Sequence, residues 1–115
     1  MAPADYDVHI YEAEDFEETF TVYDAVGQVI DLTGYTAEMK ATIKSTGKSL
    51  FSISTADYIT LGGTAGTIAI DVPQSVVDTW DFRYNRGIYE LTLIDGSGDK
   101  ELYLRGTVFL YKKVA

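Results

Sequence analysis

Between Tyr35 and Lys44 apolar and polar side chains alternate without a break. Tyr35, Ala37, Met39, Ala41 and Ile43 fall in one phase, and Thr36, Glu38, Lys40, Thr42 and Lys44 in the other. Successive strand residues point to opposite faces of a sheet, so the run is a half-buried strand with one dry face. The same period predicts strands elsewhere. Tyr6, Val8 and Ile10 share a phase in a short opening strand, and Phe16, Phe20 and Val22 share one in the next, with Glu18 as the exception. Asp24-Ala25-Val26-Gly27 is a tight turn into Gln28–Asp31, its glycine free to take a positive φ. Ser45–Lys48 turns the chain into a strand over Ser49–Ser54. Tyr58–Leu61 and Gly66–Val72 form a hairpin joined by Gly62–Ala65, and Ile88–Ile94 turns at Asp95–Asp99 into a last long strand. In that strand Leu102, Leu104, Gly106, Val108 and Leu110 are expected to face inward and Tyr103, Arg105, Thr107, Phe109 and Tyr111 outward. One helical segment is expected at Pro73–Trp80, where proline suits a helix start and Val76, Val77 and Trp80 share a side. Seven to nine short strands and at most one short helix make an all-β, two-sheet β-sandwich, with Tyr35, Met39, Ile43, Tyr89, Leu91, Leu93, Leu104 and Val108 in its core.

Composition narrows the class. The 115 residues, 46% of them hydrophobic, suit a single domain over residues 1–115, and the many Tyr, Thr, Val and Ile favour pleated surfaces. No apolar run approaches the 18 or so residues that cross a bilayer, and the start has neither the basic nor the apolar region of a signal peptide, so a soluble protein made in a cytoplasm is expected. The absence of cysteine excludes disulfides and thiolate chemistry. The net charge of −9 is unevenly placed, with no Lys or Arg before Lys40. An acidic pole of this kind repels phosphate backbones, so nucleic acid is not an expected partner, nor is a membrane.

Candidate chemistry is sparse. His9, the only histidine, has no nucleophile motif near it and reads as an exposed strand residue. Glu12, Glu14, Asp15, Glu17 and Glu18 lack the spacing of a calcium loop and suit a solvated or electrostatic docking edge better. Asp95–Asp99 has the residues of a hairpin turn, and Gly62–Gly66 lacks the lysine and helix of a phosphate cradle. Asp78–Asp81 with Tyr84 could line a sugar shelf, against which stands core packing of Trp80. No catalytic constellation, cofactor, metal site or small-molecule substrate is expected.

Three segments, Gly27–Ala37, Tyr58–Ile68 and Gly87–Val108, together resemble in order and spacing the small β-sandwich proteins of tailed bacteriophages, which are similar to the N-terminal domain of phage baseplate upper proteins. The resemblance runs over about residues 8–111. It implies an immunoglobulin-like sandwich without catalysis, made in the host bacterial cytoplasm and built into the virion as a tail, neck or baseplate adaptor. Its partners would be other virion proteins and copies of itself, any fibre domain belonging to a separate protein. A capsid decoration protein and, from a different class, a carbohydrate-binding module are the alternatives. The chain departs from the resemblance at Glu14-Asp15, where such proteins often carry Gly-Asp.

Two surfaces are candidate interfaces. Glu14, Asp15, Glu17 and Glu18 could dock on a basic partner. On the last strand Tyr103, Phe109 and Tyr111 are left on the phase opposite the core, followed by Lys112 and Lys113, and large aromatics on a surface favour an interface.

Overall fold

The computed structural model describes residues 4–43 and 45–113. The chain runs β1 (Ala4–Asp5), β2 (Val8–Tyr11), β3 (Phe16–Thr21), β4 (Thr36–Thr42), β5 (Ser49–Ser54), β6 (Ile59–Leu61), a 3-10 turn, β7 (Thr67–Val72), α1 (Gln74–Val77), β8 (Arg86–Ile94) and β9 (Lys100–Tyr111). One sheet has the order β1-β9-β8-β4-β5, with β2 also on β9, and the other the order β3-β7-β6. The alternating run around Met39 is β4, in the body of the larger sheet, with Ala37, Met39, Ala41 and Ile43 buried and Tyr35 half-buried against the core. Lys44, at the end of the expected strand, lies outside the described residues, as do Met1–Pro3, Val114 and Ala115.

Local chemistry shapes the turns. The Asp24 carboxylate accepts the Val26 and Gln28 N–H groups, each at 2.9 Å, and Gly27 takes φ 85°, which closes the expected hairpin although only Tyr23 and Val29 bridge it. Asp95 does the same in its own loop, accepting the N–H groups of Ser97 at 2.8 Å and Asp99 at 3.0 Å. α1 is a single turn connecting the smaller sheet to the larger one. Trp80 after it is half-buried, its ring stacked on Phe51 at 4.3 Å and edge-on to Phe16. Phe51 therefore covers one face of the Trp80 ring that a sugar shelf would use.

Two expectations about side-chain direction are overturned. Leu91 pairs with Leu104, but the next residue, Thr92, pairs with Leu102, so Tyr103 is an extra residue in a β-bulge. The bulge reverses the phase of the strand. Tyr103 packs on the core and its hydroxyl donates to the Thr21 carbonyl of the smaller sheet at 3.2 Å, whereas Leu102 is half-buried on the outer side opposite Thr92. A second irregularity, between Ala41 and Thr42, lets the consecutive Leu50 and Phe51 both be buried.

Tyr6 keeps the phase of Val8 and Ile10 yet is 42% exposed, because the chain kinks between β1 and β2. Its ring stands edge-on to Phe20 at 5.2 Å, its carbonyl accepts the Tyr89 hydroxyl, and the Asp7 carboxylate takes the Thr107 N–H at 3.1 Å. Both β1 and β2 run parallel to β9, so the two ends of the chain share one edge of the larger sheet.

Candidate interaction surface

The parallel register of β2 and β9 sets His9 beside Phe109 and Tyr11 beside Tyr111. All four lie on the outer phase, because Val8, Ile10, Val108 and Leu110 take the inner one. The His9 and Phe109 rings stack at 5.2 Å and 11°, Tyr11 and Tyr111 at 4.6 Å and 13°, and the Tyr111 hydroxyl lies 2.8 Å from His9 Nδ1. The result is an ordered aromatic seam, with Tyr11 46% and Tyr111 41% exposed. Stacking fixes these rings at little entropic cost to a docking event, since their rotamers are already held. The seam continues along the outer face to Ile88, 43% exposed between Thr107 and Thr42.

Around Ile88 the same face carries Arg86 beside Phe109 and, further along, Lys40, Lys100 and Arg105, four of the nine basic residues of an acidic chain, alongside Glu38 and Glu90. Lys40 Nζ is 3.9 Å from Glu38, and Arg105 Nε donates to Asp5 at 3.2 Å. These exposed pairs contribute little to folding, so their value lies in patterning the surface.

Of the expected acidic edge, Glu14, Asp15 and Glu17 are exposed. Asp15 accepts the Gln74 N–H at 2.7 Å, where it caps the first turn of α1. Ala13 takes φ 69° in the turn where the resemblance would place a glycine one residue later, and its N–H is held by Asp78 at 2.8 Å. Lys112 is exposed, and the main-chain N–H of Lys113 donates to Glu12 at 2.9 Å.

Glu18 lies on the inner phase of β3 and is half-buried. Burial pushes its carboxyl up, against a smaller opposing effect of His9. A carboxyl whose folded pKa exceeds its unfolded one costs stability above both values, and that cost disappears as the pH falls through the folded value. Glu18→Gln is therefore expected to melt a few degrees above wild type at pH 7, the gap closing as the pH falls toward about 4. A lower melting temperature for the variant at pH 7 would contradict this account.

Among the described residues no group of three or more His, Asp or Glu side chains could hold a metal ion. The two sheets define the molecule as an immunoglobulin-like β-sandwich. The larger sheet corresponds to the C, F and G strands (β4, β8, β9) with an added edge strand, and the smaller to B, E and D (β3, β7, β6). The opening strand, however, joins the G-type strand. No protein-family model matches the chain, and no curated protein matches its sequence. Among solved structures it is similar to the extracellular domain of the voltage-gated sodium channel β4 subunit, described as a parallel homodimer with a role in cell–cell adhesion, at 11% identity and a TM-score of 0.52, over 99% of this chain and 97% of that one. A structure of voltage-gated sodium channel β subunits studied for multimeric cell-adhesive interactions aligns over 95% of this chain and 92% of its own, at 13% identity and a TM-score of 0.47. At 11% identity the likeness to the β4 domain is one of fold.

Proposed function

We propose that this chain is a non-catalytic virion structural protein of a tailed bacteriophage, an adaptor or building block of the tail, neck or baseplate that assembles with other virion proteins and with copies of itself. The observation that carries the assembly role is the aromatic seam of His9, Phe109, Tyr11 and Tyr111 on the outer face of the larger sheet, ordered by stacking, with His9, Tyr11 and Tyr111 exposed and Phe109 half-buried between them. Exposed contiguous aromatics are uncommon on monomers and are favoured at the centres of interfaces. The phage setting rests on the order and spacing of Gly27–Ala37, Tyr58–Ile68 and Gly87–Val108. Self-association accords with the parallel homodimer described for the sodium channel β4 domain.

The direct test is quantitative mass spectrometry of purified particles. A small copy number in multiples of three or six supports a tail or neck position, hundreds of copies would move the protein to the capsid surface, and its absence from particles would overturn the reading. Phe109→Ser with Tyr111→Ser is expected to give a folded, soluble protein that no longer enters particles. Both rings lie outside the buried core, so their loss spares the fold. Normal incorporation of this variant would remove the seam from the interface.

A further inference from the structure

We propose that the outer face of the six-stranded sheet binds a second copy of this chain about a two-fold axis parallel to the strands. This deepens the assembly role proposed above and rests on it. The observation is a row of charges running straight across the sheet, one per strand. Asp5 on β1 is registered with Arg105 on β9, Arg105 with Glu90 on β8, and Glu90 with Lys40 on β4. All four side chains are exposed, and their signs alternate from one strand to the next.

Such a row is antisymmetric, because reversing its direction exchanges every charge for the opposite one. An axis parallel to the strands, passing between β8 and β9 in the plane between two facing copies, performs that reversal. It sets Arg105 of each copy over Glu90 of the other, and Asp5 over Lys40. An axis along the row would instead set each charge on its own equivalent. Charge therefore selects one two-fold arrangement and rejects the other.

The same axis keeps every row at its own height. Ile88 then faces Thr107 of the second copy, and Phe109 comes opposite Arg86. Stacked sheets are rotated by about 30°, so the Arg105–Glu90 pairs beside the axis are the contacts that the geometry holds best. The four strand positions that this axis overlaps, about 4.8 Å apart, with runs of seven to nine residues in β4 and β8, give a face of about 19 by 25 Å, roughly 480 Å² before side-chain relief, the size of a weak interface rather than the ~800 Å² per partner of a standard one.

Sedimentation equilibrium over about 10–300 μM tests the dimer. Wild-type protein is expected to dimerise in this range. Glu90→Arg and Arg105→Glu, each with an unchanged circular dichroism spectrum, are expected to be monomeric, since each self-pairing would set like charges together. An equimolar mixture of the two is expected to dimerise again. In the mixed pair one contact keeps the native Arg105 and Glu90, and the other sets the two introduced side chains, again of opposite charge, against each other. Should either variant fail to fold, Asp5→Lys mixed with Lys40→Glu makes the same test at the ends of the row. A wild-type monomer throughout the range, single variants that still dimerise, or a folded mixture that stays monomeric would overturn the proposal. Monomeric wild type that is nevertheless found in particles would remove this dimer and leave the virion role. A dimer absent from particles would do the reverse.

Discussion

Leu91→Ala is expected to lower stability by about 2–5 kcal/mol, a large share of the roughly 5–15 kcal/mol available to a small domain. Leu91 is fully buried in the middle of β8, registered with Met39 on β4 and with Leu104 on β9, both buried. Truncation leaves a cavity in the row that joins the three central strands of the larger sheet. In antibody sandwiches the F-strand residue two positions past the corner tyrosine carries half of a disulfide between the sheets. Here Leu91 stands two positions past Tyr89 and the chain has no cysteine, so apolar packing alone holds the sheets together at this point. Urea denaturation reads the loss as a lower midpoint at unchanged slope. Ile88→Ala, on the same strand but facing outward, is the control and should cost under about 0.5 kcal/mol. A wild-type midpoint for Leu91→Ala would contradict the packing described.

Alternation makes the inner and outer phases of β4 and most of β8 legible, because the two strands pair without interruption over the length of β4. It fails in β9 on the N-terminal side of Leu104. A period of two assumes one residue per partner residue, and whether a strand carries an extra one is decided by its pairing with β8, which the sequence of β9 does not contain. A linear reading thus sets Tyr103 on the surface and Leu102 in the core, the reverse of what the bulge produces. Similar long-range causes hide other parts of the site. Phe109 and Tyr111 can be placed on the outer phase from their own strand, but their stacking partners His9 and Tyr11 lie about a hundred positions away and meet them only through the parallel pairing of the two chain ends. Asp15 reads as one acid in a cluster, and its capping of α1 spans 59 positions. The charge row is likewise invisible to a linear reading, since Asp5, Lys40, Glu90 and Arg105 become neighbours only once four strands are set in register.

Gly106→Ala is expected to cost about 2–4 kcal/mol, more than a single methyl on a half-exposed strand would suggest. Glycine strand positions often mark a close backbone approach, and here the approaching group is the kinked segment between β1 and β2. A Cβ on Gly106 would lie 2.2 Å from the Tyr6 carbonyl oxygen and 2.8 Å from its carbon. Backbone atoms cannot rotate out of the way as a side-chain end can, so the segment must lift off β9. Lifting it removes the carbonyl that accepts the Tyr89 hydroxyl, and Tyr89 is buried, so its O–H loses its partner where water cannot replace it. It also moves the Tyr6 ring off Phe20. Because the clash and the lost hydrogen bond act through one contact, Gly106→Ala combined with Tyr89→Phe should cost less than the two single losses summed. Thermal melts of the four proteins in the cycle measure this. Wild-type melting of Gly106→Ala, or losses that add in full, would show that Tyr6 is not held over Gly106 by the Tyr89 hydroxyl.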